Sequence, residues 1–440
     1  MKKRYDLAVV GGGFSGCAAA ISAARCGLRV LLAEQGNSLG GSAVNCLVNP
    51  FMPYWTQKDG KKLVLSEGLF AEICGEMKKI SPLAIDGITF NEEYLKIVLN
   101  RMTTEAGVEL LFHSMLTGAS AEKGRVTSIE LRNKSGRLDI YADYFVDATG
   151  DADLSVLAGF PVRKGRKGDG LCQPMTLCFR IADVDCEAYA GEYSQINERY
   201  QKFRKEGKIR NPREDILTFR MLVNGVVHFN STRIVKRDPT DAFDLTRAEL
   251  EAREQLFELY TFLRDNTEAF RNSTLLTSAS SIGVRESRMI DGEYLLTGKE
   301  LVDCVKFEDS IALGNYDIDI HNPEGTGTSH YYFPEGQYYT IPYRALIPKD
   351  SENLLVAGRC ISVDHEAQAS IRIMPTVCCL GEAAGCAAGL AASAGCSVRD
   401  VDVDRLHELR PVLKEKEAAA RYCYFLSFFS SCRRRPRNIK

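Results

Sequence analysis

Apolar residues come in short runs near the start of the chain. Residues 5–10, Tyr-Asp-Leu-Ala-Val-Val, read as a brief buried strand. A glycine cluster follows, then an Ala-rich stretch from Cys17 to Cys26 that reads as a helix, which Gly27 can end. Residues 28–33 are a second apolar strand that closes on Glu34. Further along, 108–112, 124–132 and 137–147 read as short strands parted by turn signals, and 353–357 as one more buried strand. The middle of the chain has a different texture. A strand-like start at 176–181 leads to an amphipathic stretch, 246–271, whose Leu256, Leu259, Leu263 and Phe270 keep to one helical face. Alternation at 226–233 predicts a strand with His228, Asn230 and Thr232 on one side. Turn-rich, aromatic sequence over 314–343 brings the chain back. A final helix is expected from near Pro375, with Gly381, Gly385 and Gly389 on one face for close packing on the sheet or a cofactor.

The glycine cluster is the sharpest local signal. Gly11-Gly12-Gly13-Phe14-Ser15-Gly16 fits G-x-G-x-x-G, with a strand before it and a helix after it. Gly11 permits the tight turn, Gly13 admits a pyrophosphate close to the backbone, and Gly16 lets helix and strand touch. The helix start offers free N–H groups and a positive dipole end. Glu34, at the end of the second strand, can accept from ribose hydroxyls and would repel a 2′-phosphate, which favours FAD or NAD over NADP.

Three further blocks resemble the glutathione-reductase-like class of flavoproteins. Gly40-Gly41-Ser42 follows the ribose acid. Val146-Asp147-Ala148-Thr149-Gly150-Asp151 ends the strands of 108–147, where the class has a β-meander and an Ala-Thr-Gly strand. Residues 353–359 end in Gly358-Arg359, although the class often carries Gly-Asp there. More closely, the chain resembles the FAD-dependent oxidoreductase family related to succinate dehydrogenase and fumarate reductase flavoproteins, through the fingerprint, 146–154, 283–288 and 358–389. The resemblance implies an α/β chain with a Rossmann-like FAD-binding domain and β-meander. That domain is discontinuous, 1–160 and 345–410, with an inserted α+β substrate or cap domain at 161–344 and a tail at 411–440. It also implies FAD held by Gly11, Gly13, Phe14, Ser15, Gly16, Glu34, Gln35, Gly40, Gly41, Ser42, Ala148, Thr149, Gly150, Asp151, Gly358, Arg359, Pro375 and Thr376. Non-covalent attachment is expected from the residues themselves, since no His occurs before His113 and Cys46 is the one cysteine weighed for a bond to the flavin.

Composition narrows the setting. At 440 residues the chain is long enough for two domains. A net charge of -2 gives no reason to expect a nucleic-acid partner. The basic run Arg433-Arg434-Arg435-Pro436-Arg437 reads as a solvated end. No uninterrupted apolar window approaches ~18 residues, so no membrane span is expected. The start lacks a signal-peptide core, and the chain reads as cytoplasmic. Fifteen cysteines include no Cys-x-x-Cys pair and read as reduced packing residues, with no metal site expected. A homo-oligomer is left open.

The chemistry is harder to read. Disulfide reductases of the class carry two cysteines after the Gly-Gly pair. Here those positions are Ala43 and Val48, with Cys46 between them. A second dinucleotide fingerprint is also missing. The remaining expectation is hydride transfer between flavin N5 and a small, anionic organic substrate, with an unknown electron donor or acceptor. Such chemistry needs anion capture, which suits arginine, and proton transfer, which suits histidine. The candidates are His365 and Arg372, carried over from the succinate dehydrogenase class, with Arg285 and Arg288, which share a helical face, and His228 on the cap strand. His321 and His330 sit in the turn-rich return with less claim. The alternative is a flavin-binding electron-transfer or sensor subunit of a larger complex.

Overall fold

The computed structural model describes residues 2–410; the tail, with its basic run, lies outside the described residues. Lys2–Val10, Val30–Ala33 and Glu109–Leu111 align in parallel, joined by the helix Phe14–Arg25 and by Glu92–Glu105. The long strand Gly136–Asp147 pairs in parallel with Lys2–Val10 along one edge. Its other edge is divided. Residues 136–141 pair antiparallel with Arg125–Asn133, and 145–147 pair in parallel with Leu354–Val356. One strand therefore belongs both to the meander and to the parallel sheet.

The expected strand at 108–112 joins the parallel sheet rather than the meander. The third meander strand is Met115–Glu122, outside the stretches whose pattern marks them as strands. Its Thr-Gly-Ala-Ser centre has almost no apolar alternation, and its pairing with Arg125–Asn133 rather than its own pattern sets it.

Close packing holds the fingerprint in place. A Cβ at Gly16 would stand 1.8 Å from the Gly11 carbonyl oxygen. The helix Met374–Ala394 crosses the first helix through its glycine face, which meets that helix rather than the sheet. Cβ atoms at Gly381 and Gly385 would stand 2.0 Å and 2.2 Å from the Ser15 and Ala19 carbonyl oxygens. By length and composition this helix could cross a membrane, but 78% of its apolar window is buried within the fold. Its hydrophobicity is that of a core helix.

A separate core forms the cap. Thr218–Arg220, Val227–Phe229, Phe179–Ala182 and Thr274–Ser278 make an antiparallel sheet in that order. Cys186–Lys205 and Ala242–Asn266 supply apolar residues to its core, among them Tyr200, Leu256, Leu259 and Leu263. This core ends at Ile282, whereas Met289 to Tyr343 contribute to the core of the nucleotide fold. By packing, the insertion closes near 282 rather than at 344. The strap 283–288 and the hairpin Ile318–His321/Thr328–Tyr331 lie where the two cores meet over a shared cavity.

Candidate active site

One cavity of about 1180 Å³ runs from the fingerprint to the cap. Its nucleotide end is built of backbone. Gly11 has φ +100°, and a Cβ there would stand 2.3 Å from the Ala148 carbonyl oxygen, so the turn must be glycine. The helix Phe14–Arg25 starts at Gly13 with no side-chain cap, leaving its first N–H groups to a ligand. A Cβ at Gly13 would meet nothing nearer than 4.0 Å, which is room for a pyrophosphate. Glu34 is buried, and its two oxygens accept the Gly12 and Gly36 N–H groups at 2.6 Å each. The carboxylate is thereby fixed, with lone pairs left for ribose hydroxyls. Asp147, fully buried, accepts from the Thr149 hydroxyl at 2.7 Å and from the Ser155 hydroxyl and N–H at 2.8 Å. These bonds set the Ala148–Gly150 turn against the fingerprint. This backbone cradle fits FAD.

Arg359 occupies the place after Gly358. Its guanidinium lies across Gly150, where a Cβ would stand 2.5 Å from Nη1, and it pairs with Asp151 at 2.6 Å. The two sequence blocks are therefore joined by an ion pair. Gln35, Gly40, Gly41 and Ser42 also line the cavity. Pro375 and Thr376 are buried in the first turn of their helix and do not line it; Ile373, Met374 and Val377 do. Gly16 acts through packing rather than from the wall.

The cap end brings together three of the five catalytic candidates. Arg285, Arg288 and Arg372 line the cavity. Arg288 is committed to the nucleotide fold, since it pairs with Asp153 and donates to the Asp151 carbonyl at 2.8 Å. Arg285 is buried and donates to the Pro174 carbonyl at 2.6 Å and to Asn230 at 3.3 Å. Among the described residues it has no carboxylate partner. Burial, then repulsion from Arg372 and Arg213, pulls its guanidinium down to about 9, still charged at neutral pH. Arg372 pairs with Asp319 at 3.3 Å, but its buried Nε has no hydrogen-bond partner.

The two histidine candidates lie elsewhere. His365 does not line the cavity; its Nδ1 faces Glu286 at 2.8 Å. His228 is also off the wall, fully buried in the cap sheet beside Phe219. The expected face of His228, Asn230 and Thr232 divides because the strand ends at Phe229. Asn230 then turns to the cavity, while Thr232 donates to the Leu177 carbonyl at 3.2 Å. Desolvation lowers His228 to about 3, so it stays neutral.

Other side chains take these places. Asp317, Asp319, His321 and His330 come from the hairpin, and Arg213 from the segment after the cap's first helix. His330 directs Nδ1 to Asp317 at 2.5 Å; since a carboxylate only accepts, Nδ1 carries the proton. His321 Nδ1 faces Arg233 at 3.1 Å, which only donates, so its Nε2–H points to Asp319 at 3.3 Å. Burial, then Arg285, holds His321 well below the usual histidine value. For Asp319, burial alone would raise the carboxyl. The His321 hydrogen bond, with the charges of Arg372 and Arg285, outweighs it, and the group stays well below the carboxylate range.

The family model "FAD dependent oxidoreductase" matches residues 6–409. Among curated proteins, the chain is 29% identical to digeranylgeranylglycerophospholipid reductase 1 of Methanococcoides burtonii over 34% of its own length and 38% of that protein's. It is 27% identical to digeranylgeranylglycerophospholipid reductase of Methanocella arvoryzae, over 43% and 51%. These matches span about half of the relatives' length or less. Among solved structures, a geranylgeranyl bacteriochlorophyll reductase-like protein from Thermoplasma acidophilum covers 98% of this chain and 96% of its own, at 12% identity and a TM-score of 0.45. The p-nitrophenol 4-monooxygenase of Pseudomonas putida covers 98% and 94%, at 11% and 0.48.

Proposed function

Since this chain belongs to the FAD dependent oxidoreductase family, and is thus a flavoenzyme with FAD as its cofactor, we propose that it acts on a small organic anion anchored by Arg285 and Arg372. FAD supplies two-electron redox chemistry to whatever lies beside it. The observation that carries the proposal is Arg285, a buried cation in the cavity wall with two arginines near it and no carboxylate partner among the described residues. A buried charge is costly unless paired, and a substrate carboxylate would complete this one. The planar guanidinium fork holds both oxygens of such a group and fixes its angle.

Proton transfer falls to His330 in place of His365. Asp317 holds its Nδ1–H, which leaves Nε2 free to take or return a proton at the cavity surface. The isoprenoid lipids named for the curated relatives suit this wall less well. Arg213, Asp215, Arg285, Asp319 and Arg372 line it, and an apolar chain would strip their water without replacing it. A panel of carboxylates added anaerobically to the holoenzyme tests the reading. One or more should bleach the flavin or shift its spectrum, and complete indifference to carboxylates, with a response to uncharged lipids, would reject it.

A further inference from the structure

The cap-side wall is not simply cationic. Arg213, Arg285 and Arg372 face the same cavity as Asp215, Asp317 and Asp319. Ligand atoms of Asp317, Asp319 and His330 lie within 4.8 Å of one another. Asp319 spends one oxygen on protein: Oδ2 takes Arg372, His321 and Tyr316 at 3.3, 3.3 and 3.2 Å. Its Oδ1 is buried without a hydrogen-bond partner, although the residue is only 7% exposed. His330 Nε2 stands 3.8 Å from that oxygen, beyond hydrogen-bond reach. The buried Arg213 has the converse lack, since its Nη1 donor finds no acceptor. Buried polar atoms are rarely left alone, so an orphan acceptor and orphan donors on residues of one cavity wall point to a ligand that would satisfy both once the wall closes on it.

Resting on the anion reading above, we propose that the substrate is an amino-carboxylate. Its carboxylate lies against Arg285 and Arg372, and its protonated amine donates to Asp319 Oδ1 and to Asp317. An ammonium carries three donors and suits the gathered carboxylates. A divalent cation suits them less, because Arg372 is already bound to Asp319 and Arg285 lies close enough to shift its titration.

Calorimetric titration of the holoenzyme with butyrate, butylamine, 2-aminobutyrate, 4-aminobutyrate and Mn²⁺ decides the matter. At least one aminobutyrate should bind about tenfold or more tighter than butyrate, the scale of one added charged hydrogen bond. Asp317→Asn should erase that advantage and keep butyrate binding. Because the ligand comparison is made first on the unaltered protein, it does not depend on the variant folding. If butyrate binds as tightly as both aminobutyrates, the amine subsite is wrong and the anion site stands. If no carboxylate binds, both fail. Binding of Mn²⁺ that Asp317→Asn abolishes, without preference for an aminobutyrate, would make the cluster a metal site and overturn the proposal.

Discussion

His365 Nδ1 lies 2.8 Å from Glu286 Oε1, and neither side chain lines the cavity. Glu286 is fully buried and also takes the Gln173 N–H at 2.8 Å. The pair ties the helix His365–Ile371 to the strap 283–288, and so holds in place the wall that carries Arg285 and Arg372.

The pair should be read through stability. Burial pulls the His365 imidazole down, but the hydrogen bond and charge of Glu286 prevail and raise it. The contribution is therefore full below the unfolded value of about 6.5, and is lost as pH rises through the raised folded value. His365→Gln should cost on the order of 1–3 kcal/mol at about pH 5.5, and clearly less at about pH 9. Urea unfolding at both pH values measures this, and an equal loss at the two would remove the charged pair from the account.

Glu34 carries a second expectation. Glu34→Ala removes the ribose acceptor and both anchors of the turn, to Gly12 and Gly36. A loss of about 1–3 kcal/mol corresponds to roughly 5–150-fold weaker FAD. Unchanged FAD affinity, measured by flavin fluorescence, would argue against the ribose assignment.

The nucleotide fold was legible because its signals are local. Gly11–Gly16, Glu34 and the Ala148–Gly150 turn each lie in a short stretch whose residue types have single uses. The cap end is built by pairing across sequence. Asp319 meets His330 because Ile318–His321 and Thr328–Tyr331 pair in that register. A signal was there, for Asp317-Ile318-Asp319-Ile320-His321 alternates polar and apolar, but its turn-rich surroundings hid the strand. Arg213 had no pattern of its own. His365 was placed by family resemblance, and only Glu286, 79 positions away, shows where its ring is held.

Arg285 should trade stability for binding. Arg285→Met removes an incompletely paired buried charge while keeping most of the volume, so melting temperature should hold or rise. Butyrate affinity should fall about tenfold or more. A variant that unfolds readily would show that Arg285 is a structural ion rather than an anchor.

FAD should be non-covalent. Cys46 lines the cavity, yet burial raises its thiol, and the lowering by Ser281 and Arg359 does not overcome it. The thiolate is the nucleophile, so attack on the flavin is disfavoured. Acid precipitation should leave a colourless pellet and a yellow supernatant; colour in the pellet would refute this.

The central claim is that one cavity holds FAD along the fingerprint and an organic anion against the cap arginines. Its most direct test is an anaerobic titration of holoenzyme with butyrate, followed through the flavin spectrum, in the unaltered protein and in Arg372→Lys. Lysine keeps the charge but loses the fork. The account predicts a saturable spectral shift in the unaltered protein, and one at least about tenfold weaker in Arg372→Lys with FAD content unchanged. Equal shifts in both, or none in the unaltered protein, would contradict it.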